Sequence, residues 1–306
     1  MTPSLRAGTR GSPLALAQAD EVVVRLRTIR PGLRTETVVI RTHGDEGYRE
    51  DLGTALDGKR AFTKRIEDAL LEERIDFAVH SLKDLPTETA TGLVIAAIPP
   101  REDPRDALVG RRLMTLDDLG PGVRVGTSSL RRRAQLLSQR PGLEVIDLHG
   151  NVNTRLRRLD SNDFDAVVVA AAGMRRLHID DRFAHPLSPD VMTPAPGQGA
   201  LALEARKGDR PVLDLLSAID DPSARRTTEA ERALGARVGG GCNVPFGALA
   251  TVEGGMRLRA VLADPEGRRV IRSEDRGDAS HWKEIVDSVW AKLVQQGAAD
   301  LVAEAA

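Results

Sequence analysis

The sequence predicts an α/β protein: two similar doubly wound α/β domains, then a small C-terminal α+β domain. Three observations carry this. Short apolar, β-branched runs alternate with amphipathic helical stretches through the first two thirds of the chain, which is the βα pattern of layered sheets with helices on both faces. A Pro-rich stretch, PPREDPRD (99–106), separates two such series. After residue 218 the order changes to helix, three strands and helix. A chain of 306 residues is also too long for one compact core. The expected division is 1–99 with 200–217 as an N-terminal α/β domain, 100–199 as a central α/β domain and 218–306 as the C-terminal domain.

In chain order, Ser12-Pro13 before LALAQADEVVVRL reads as an N-cap with proline at the first helical position. VVIRT (38–42) reads as a strand. Phe62, Ile66, Ala69 and Leu70 lie at helical spacing in AFTKRIEDALLEE. IDFAVHS (75–81) is a short apolar strand. In the second series VRVGTSSLRRRAQLL (123–137) reads as strand, turn and helix. LEVIDLHGNVNTRLRRL (143–159) and FDAVVVAAAGMRRL (164–177) repeat the plan, and parallel sheets are expected from it. PAPGQGALALEAR (194–206) breaks the pattern with a turn and another apolar run. SARRTTEAERALGARV (223–238) reads as a helix, strands are expected at 246–252, 257–263 and 269–274, and a helix at 281–296.

Composition narrows the function classes. Hydrophobic residues at 41% and charged residues at 29% fit an ordinary globular protein, and no apolar run is long enough to span a bilayer. A formal charge of −1 argues against nucleic-acid or membrane binding through bulk electrostatics. The first residues lack the apolar core of a signal peptide, and a single cysteine forms no internal disulfide, so a cytoplasmic protein is expected. No His/Cys/Asp/Glu cluster has metal-ligand spacing, and no metal is expected. Neither GxxxxGK[ST] nor GxGxxG occurs, which counts against a nucleotide.

Chemistry concentrates at loops after strands. Thr127, Ser128 and Ser129 offer hydroxyls and N–H groups at a helix start, followed at once by Arg131, Arg132 and Arg133. His149 and Gly150 precede Asn151, a helix cap, with Arg155, Arg157 and Arg158 beyond it. Arg175 and Arg176 follow the third strand. Arginine in a first helical turn opposes the macrodipole preference, so its repetition points to anions held at strand C-terminal ends. The alternative is a solvated helix face, and Arg133, Arg157 and Arg158 are assigned to it. HSLKDLP (80–86) places Ser81, Lys83 and Asp84 at a strand end; Asp84 is a candidate catalytic carboxylate or a turn residue, and His80 a candidate core histidine. TRGSPLALAQ presents Arg10, Ser12 and Gln18 at another helix start. Cys242, behind three glycines, is by identity either a small buried hydrophobe or a functional thiol.

Taken together, RGSPLALAQ, AVHSLKDLPT, PPREDPRDA, VGTSSLRRRAQL, HGNVNTRLRRLD, AAGMRRL, PAPGQGALALE, TEAER and GGGCNVPFGA resemble the porphobilinogen deaminase (hydroxymethylbilane synthase) family, in that family's order over nearly the whole chain. The resemblance implies a cytoplasmic, monomeric transferase of tetrapyrrole (porphyrin, heme) biosynthesis with periplasmic-binding-protein-like α/β domains. It implies four deaminating condensations of porphobilinogen on a dipyrromethane primer, then hydrolytic release of the linear tetrapyrrole. It implies a thioether between that cofactor and Cys242. It assigns cofactor binding to Ser81, Lys83, Asp84, Thr127, Ser128, Ser129, Arg131, Arg132, His149, Gly150 and Arg155. Substrate binding falls to Arg10, Ser12, Gln18, Arg155 and Arg176, and catalysis to Asp84. Each pyrrole carries two carboxylates, which suits an arginine-lined cleft.

Two stretches depart from the family pattern. His149 stands where arginine is usual; histidine is shorter, forms no bidentate clamp and is charged only toward acidic pH. In GYREDLGTALDGKRAF (47–62) the usual Gly-Gly-Lys-Gly run is altered, and Ala55 takes the place of a lysine. Two rivals share the same residues: a carboxylate-binding protein without catalysis, and a family relative without turnover.

Overall fold

The computed structural model describes residues 4–41, 60–179, 182–239 and 243–305. Cys242 and the 47–59 part of the altered loop lie outside the described residues. Two compact units are present, residues 1–101 with 200–225 and residues 102–199 with 226–306.

The first unit is built on a five-stranded sheet of β1 (Leu5–Thr9), β2 (Thr35–Val39), β3 (Phe77–Ser81), β4 (Leu93–Ala97) and β10 (Leu201–Arg206). Their order is β2-β1-β3-β10-β4. Parallel pairing, the sequence expectation, holds for β1 with β2 and with β3. It fails at β10, which runs antiparallel to β3 and to β4. A strand that returns from a distant part of the chain has no crossover helix to fix its direction, so alternation alone does not reveal it. Helix α1 (Pro13–Ile29) is capped as expected: the Ser12 hydroxyl accepts from the Ala15 N–H at 3.2 Å. It turns Ala19, Val22, Val23 and Leu26, at i, i+3, i+4 and i+7, onto the sheet beside Phe77 and Leu203. Helix α2 spans Arg60–Leu71, close to the expected stretch, and buries Ile66, Ala69 and Leu70. Strand β2 begins at Thr35 instead of residue 38, because it is an edge strand whose exposed positions tolerate polar Thr-Glu-Thr.

The second unit repeats the topology. Strands β5 (Asp106–Gly110), β6 (Arg124–Gly126), β7 (Glu144–Ile146), β8 (Ala166–Ala170) and β9 (Phe183–Pro186) form a sheet of order β7-β6-β8-β5-β9. Again the fourth strand in spatial order, β5, is antiparallel to both neighbours. Helices α3 (Leu130–Gln139), α4 (Val152–Asp160) and α5 (Ala171–Arg176) follow β6, β7 and β8, as the motifs predict. The central strands β5 and β8 are buried almost throughout, which explains their unbroken apolar runs. Neither β5 nor β1 stands out in the sequence; both are short and sit beside turn-forming residues. Helix α6 is Arg210–Ser217, and α7 is Pro222–Val238.

The remainder of the second unit is an antiparallel meander of β11 (Phe246–Val252), β12 (Met256–Ala263) and β13 (Val270–Gly277) covered by α8 (Trp282–Gln295) and α9 (Ala298–Ala305). Its core joins Leu234 and Val238 to Leu258, Leu262, Val289 and Leu293. The β12–β13 hairpin seats directly on α3. Arg133, assigned from sequence to a solvated face, instead donates to Glu266 on that hairpin and to the Val145 carbonyl. Arg157 and Arg158 are exposed, as assigned.

The hairpin seat leaves no room for a side chain at Gly267. Its φ is +67°, and a Cβ would fall 2.2 Å from the Ala134 carbonyl oxygen of α3. Gly254 has the same φ with nothing within 4 Å, so it isolates the backbone cost from the overlap. We expect Gly267→Ala to lower the unfolding free energy in urea by about 2 kcal/mol more than Gly254→Ala. Equal losses would show that the hairpin is not held against α3.

Candidate functional site

In the first unit the C-terminal ends of β1 and β3 lie side by side, because Ala7 and Gly8 pair with Phe77 and Ala78. That register brings Arg10, Ser12, Gln18, Ser81, Lys83 and Asp84 to one edge of the sheet, where open α/β sheets bind ligands. Gln18 is 4% exposed, and its side-chain amide bonds the Ser81 hydroxyl at 2.9 Å, locking the helix to the strand end. A single 3-10 turn, Leu82–Asp84, follows; its Leu82 and Leu85 are buried, so Lys83 is half-buried and Asp84 is turned to solvent. Beneath this edge His80 and Glu204 form a buried pair, Nε2 to Oε2 at 3.2 Å, on adjacent strands. His80 is thus a core residue. Glu204, in an otherwise apolar strand, is a partner that the sequence reading missed.

In the second unit three loops converge at the ends of β6, β7 and β8. The first supplies Thr127, Ser128 and Ser129. Ser129 caps α3, Thr127 Oγ1 accepts from the Ser129 N–H at 3.2 Å, and Ser128 Oγ donates to the Leu148 carbonyl at 3.1 Å. That last bond ties the first loop to the second, which carries His149 and Gly150, both exposed. Asn151 caps α4 through the Thr154 N–H at 2.9 Å. The Gly150 carbonyl accepts from Arg155 Nε at 2.9 Å. Arg176, after β8, is half-buried at the end of α5.

Arg131 and Arg132 are neither solvated nor simply aimed outward. They are 6% and 5% exposed and share one carboxylate, Asp106, which is fully buried at the start of β5. Arg131 Nη1 donates to Asp106 Oδ2 at 2.7 Å and to the Thr193 carbonyl at 2.8 Å. Arg132 Nε and Nη2 donate to Asp106 Oδ1 at 2.9 and 2.7 Å, and Nη1 to the Val168 carbonyl at 2.8 Å. Gln198 adds a bond to the same Oδ1 at 3.1 Å. Burial alone would raise the Asp106 carboxyl, but the Arg131 and Arg132 charges outweigh it and hold it far below the usual carboxylate range. Asp106 escaped the sequence reading because Pro-Arg-Asp looks like turn chemistry. Its one signal is the apolar Ala-Leu-Val that follows directly.

Among the described residues, Asp106 is the one carboxylate ion-paired with Arg131 or Arg132, and none is ion-paired with Arg155. Burial, and then the charge on Arg132, lower the Arg155 guanidinium to about 10. Burial, together with the like charge of Arg131, lowers Arg132 further than Asp106 restores it. Two guanidinium groups therefore share one carboxylate and a third, Arg155, pairs with none among the described residues, and this excess of cation favours uptake of an anion bearing more than one carboxylate. A dipyrromethane with acetate and propionate side chains fits that donor set.

Fold and charge together define the class: an α/β protein with cationic loops at the carboxyl ends of its strands. The porphobilinogen deaminase dipyromethane cofactor binding domain matches residues 5–214, and the porphobilinogen deaminase C-terminal domain matches residues 226–295. The chain belongs to the porphobilinogen deaminase family. It is 47% identical over 303 residues to the porphobilinogen deaminase of Acidithiobacillus ferrooxidans, covering 99% of this chain and 98% of that one. It is 46% identical to that of Thermus thermophilus, covering 97% of each chain. It is also 46% identical to that of Roseiflexus sp., covering 99% of this chain and all of the relative. Among solved structures it is similar to the substrate binding protein of an amino acid ABC transporter, with a TM-score of 0.37, 14% identity, and coverage of 71% of this chain and 91% of that one.

Among the described residues no helix is long and apolar enough to cross a membrane. Asp106, with its carboxyl depressed in the native state, contributes stability above the unfolded value near 4 and loses it as pH falls further. We expect Asp106→Asn to cost about 3–5 kcal/mol at pH 7, since it leaves two buried guanidinium groups uncompensated. In urea titrations the gap to the parent should narrow steadily below about pH 4. A gap independent of pH would mean that the carboxylate charge is not what stabilises the pair.

Proposed function

We propose that the chain acts as a hydroxymethylbilane synthase, a cytoplasmic monomer that condenses four porphobilinogen molecules on a dipyrromethane and releases the linear tetrapyrrole. The observation that carries the reading is the pair of buried guanidinium groups on the single carboxylate of Asp106, with Arg155 ion-paired to none among the described residues, in a chain of this family. We assign the carboxylates of the dipyrromethane to Arg131, Arg132 and Arg155, with Lys83, Ser81, Thr127, Ser128, Ser129, His149 and Gly150 as further partners. Arg10, Ser12, Gln18, Arg155 and Arg176 are assigned to the substrate. Cys242 is assigned as the covalent anchor through a thioether. The three-domain division, 1–99 with 200–217, 100–199 and 218–306, belongs to the same proposal.

When bound, the dipyrromethane supplies the nucleophilic pyrrole α-carbon to which units are added. The chain's own residues do the rest. Asp84 is exposed at the end of a short 3-10 turn, a placement that lets its carboxylate approach pyrrole N–H groups. There it stabilises positive charge that develops as ammonia leaves, and it accepts and returns protons. The arginines hold carboxylates without titrating, so the substrate's negative charge stays paired through repeated cycles.

The denatured intact mass tests the anchor. The parent should carry extra mass equal to a dipyrromethane, and Cys242→Ser should lack it. A parent that stays unmodified after incubation with porphobilinogen would leave only a carboxylate-binding relative. Asp84→Asn should keep the extra mass while kcat for ammonia release falls by about 100-fold or more. Loss of binding with kcat retained would assign Asp84 to recognition. His149→Arg should raise the fraction of protein carrying the extra mass, since arginine reaches further and can clamp a carboxylate with two bonds. An unchanged fraction would show that residue 149 does not touch the group.

A further inference from the structure

The segment 188–199 is gripped from two sides. From α3, Gln135 Nε2 donates to the Thr193 carbonyl at 3.1 Å, and Gln135 Oε1 accepts from the Thr193 N–H at 2.8 Å. Arg131 donates to that same carbonyl. From the C-terminal meander and α7, the Ala248 N–H donates to the Pro194 carbonyl at 2.9 Å. Glu231, fully buried, accepts from the Gly197 N–H at 2.7 Å and from the Ala250 N–H at 2.8 Å. Arg272 Nη1 reaches Thr193 Oγ1 at 3.3 Å. Gln198, at the end of the segment, then meets Asp106.

At the centre of this grip is Gly247, a buried residue of β11 opposite Val261. Its backbone is not left-handed, so conformational freedom does not explain it. Space does. A Cβ there would lie 2.6 Å from the Thr193 carbonyl oxygen and 2.9 Å from that of Pro194. Both are backbone atoms and cannot swing aside as a side chain would. The Thr193 oxygen is also the acceptor that orients Arg131.

We propose that Gly247 is a positioning residue for Arg131: its missing side chain lets the Thr193 peptide lie on β11 at the depth where its carbonyl meets the guanidinium. The importance of that contact rests on the reading that Arg131 holds cofactor carboxylates. Gly247 follows Cys242 by five positions, so the sequence that carries the proposed anchor also sets the depth of the clamp.

The test compares Gly247→Ala with Gly235→Ala, whose added Cβ makes only an ordinary 3.5 Å contact with Phe246. Arg131→Met and the Gly247→Ala/Arg131→Met pair complete a double-mutant cycle. Two readouts are taken: hydrogen exchange of peptides covering 130–139 and 188–199, and the ratio of loaded to unloaded protein by denatured mass after incubation with a fixed concentration of porphobilinogen. Gly247→Ala, unlike Gly235→Ala, should speed exchange in both peptides and lower the loaded ratio about tenfold or more. In the Arg131→Met background it should change that ratio less than about twofold. A parental ratio in folded Gly247→Ala would overturn the proposal. So would an equal drop in both backgrounds, which would mean that Gly247 acts elsewhere. If the parent itself takes up no mass, the functional reading has failed, and the exchange comparison alone decides; parental exchange in Gly247→Ala then refutes it. Should Gly247→Ala not fold, Gln135→Leu loosens the same Thr193 peptide from the α3 side, and a parental ratio there is the refuting result.

Discussion

One buried carboxylate organises the second unit. Asp106 has no access to water, yet stays charged because two guanidinium groups and a glutamine amide surround it. The arrangement settles a local conflict. Arg131 and Arg132 sit in the first turn of α3, where the helix dipole favours acidic residues. Asp106, reaching in from β5, supplies the negative charge that the helix itself lacks. The same contact joins α3 to the sheet and, through Gln198, to the 188–199 segment. Removing any part of this arrangement strands charge in a low-dielectric interior, which is why the surrounding backbone carbonyls of Thr193 and Val168 are recruited as well.

The sequence made the helical starts plain and hid the partners. Ser12, Ser129 and Asn151 were legible as caps because capping is local: the acceptor and its N–H lie three residues apart. The βα turns were legible for the same reason. Asp106 was not, because its partners lie 25 and 26 residues away and the Ala-Leu-Val that follows it is the one local hint of burial. Glu204 and Arg133 share that difficulty: an acid in an apolar strand and a base in a basic run acquire their meaning only from another strand or hairpin. The general expectation of parallel sheets did not foresee the antiparallel β5 and β10, because periodicity reports which face is buried and says nothing of which way a neighbour runs.

A site built this way keeps its cations at a cost. Each desolvated guanidinium without a matching carboxylate is less stable than it would be in water, and Arg155 records that in its lowered affinity for a proton. The gain is specificity. Cations fixed by backbone carbonyls and a buried acid cannot collapse onto one another's partners, so in the proposed function the polycarboxylate meets a charge pattern already in place.

The repeated sheet topology also has a bearing on how the chain is made. The second unit's sheet draws all five strands from one uninterrupted stretch, β5 through β9. The first unit's sheet does not: its fourth strand, β10, is encoded some hundred residues after β4. On a ribosome, the earliest-synthesised strands must therefore wait with one edge of β3 and one of β4 unpaired until all five strands of the later sheet have already emerged. Birth order and completion order are reversed in this polypeptide, and the N-terminal sheet is the last of the two to close.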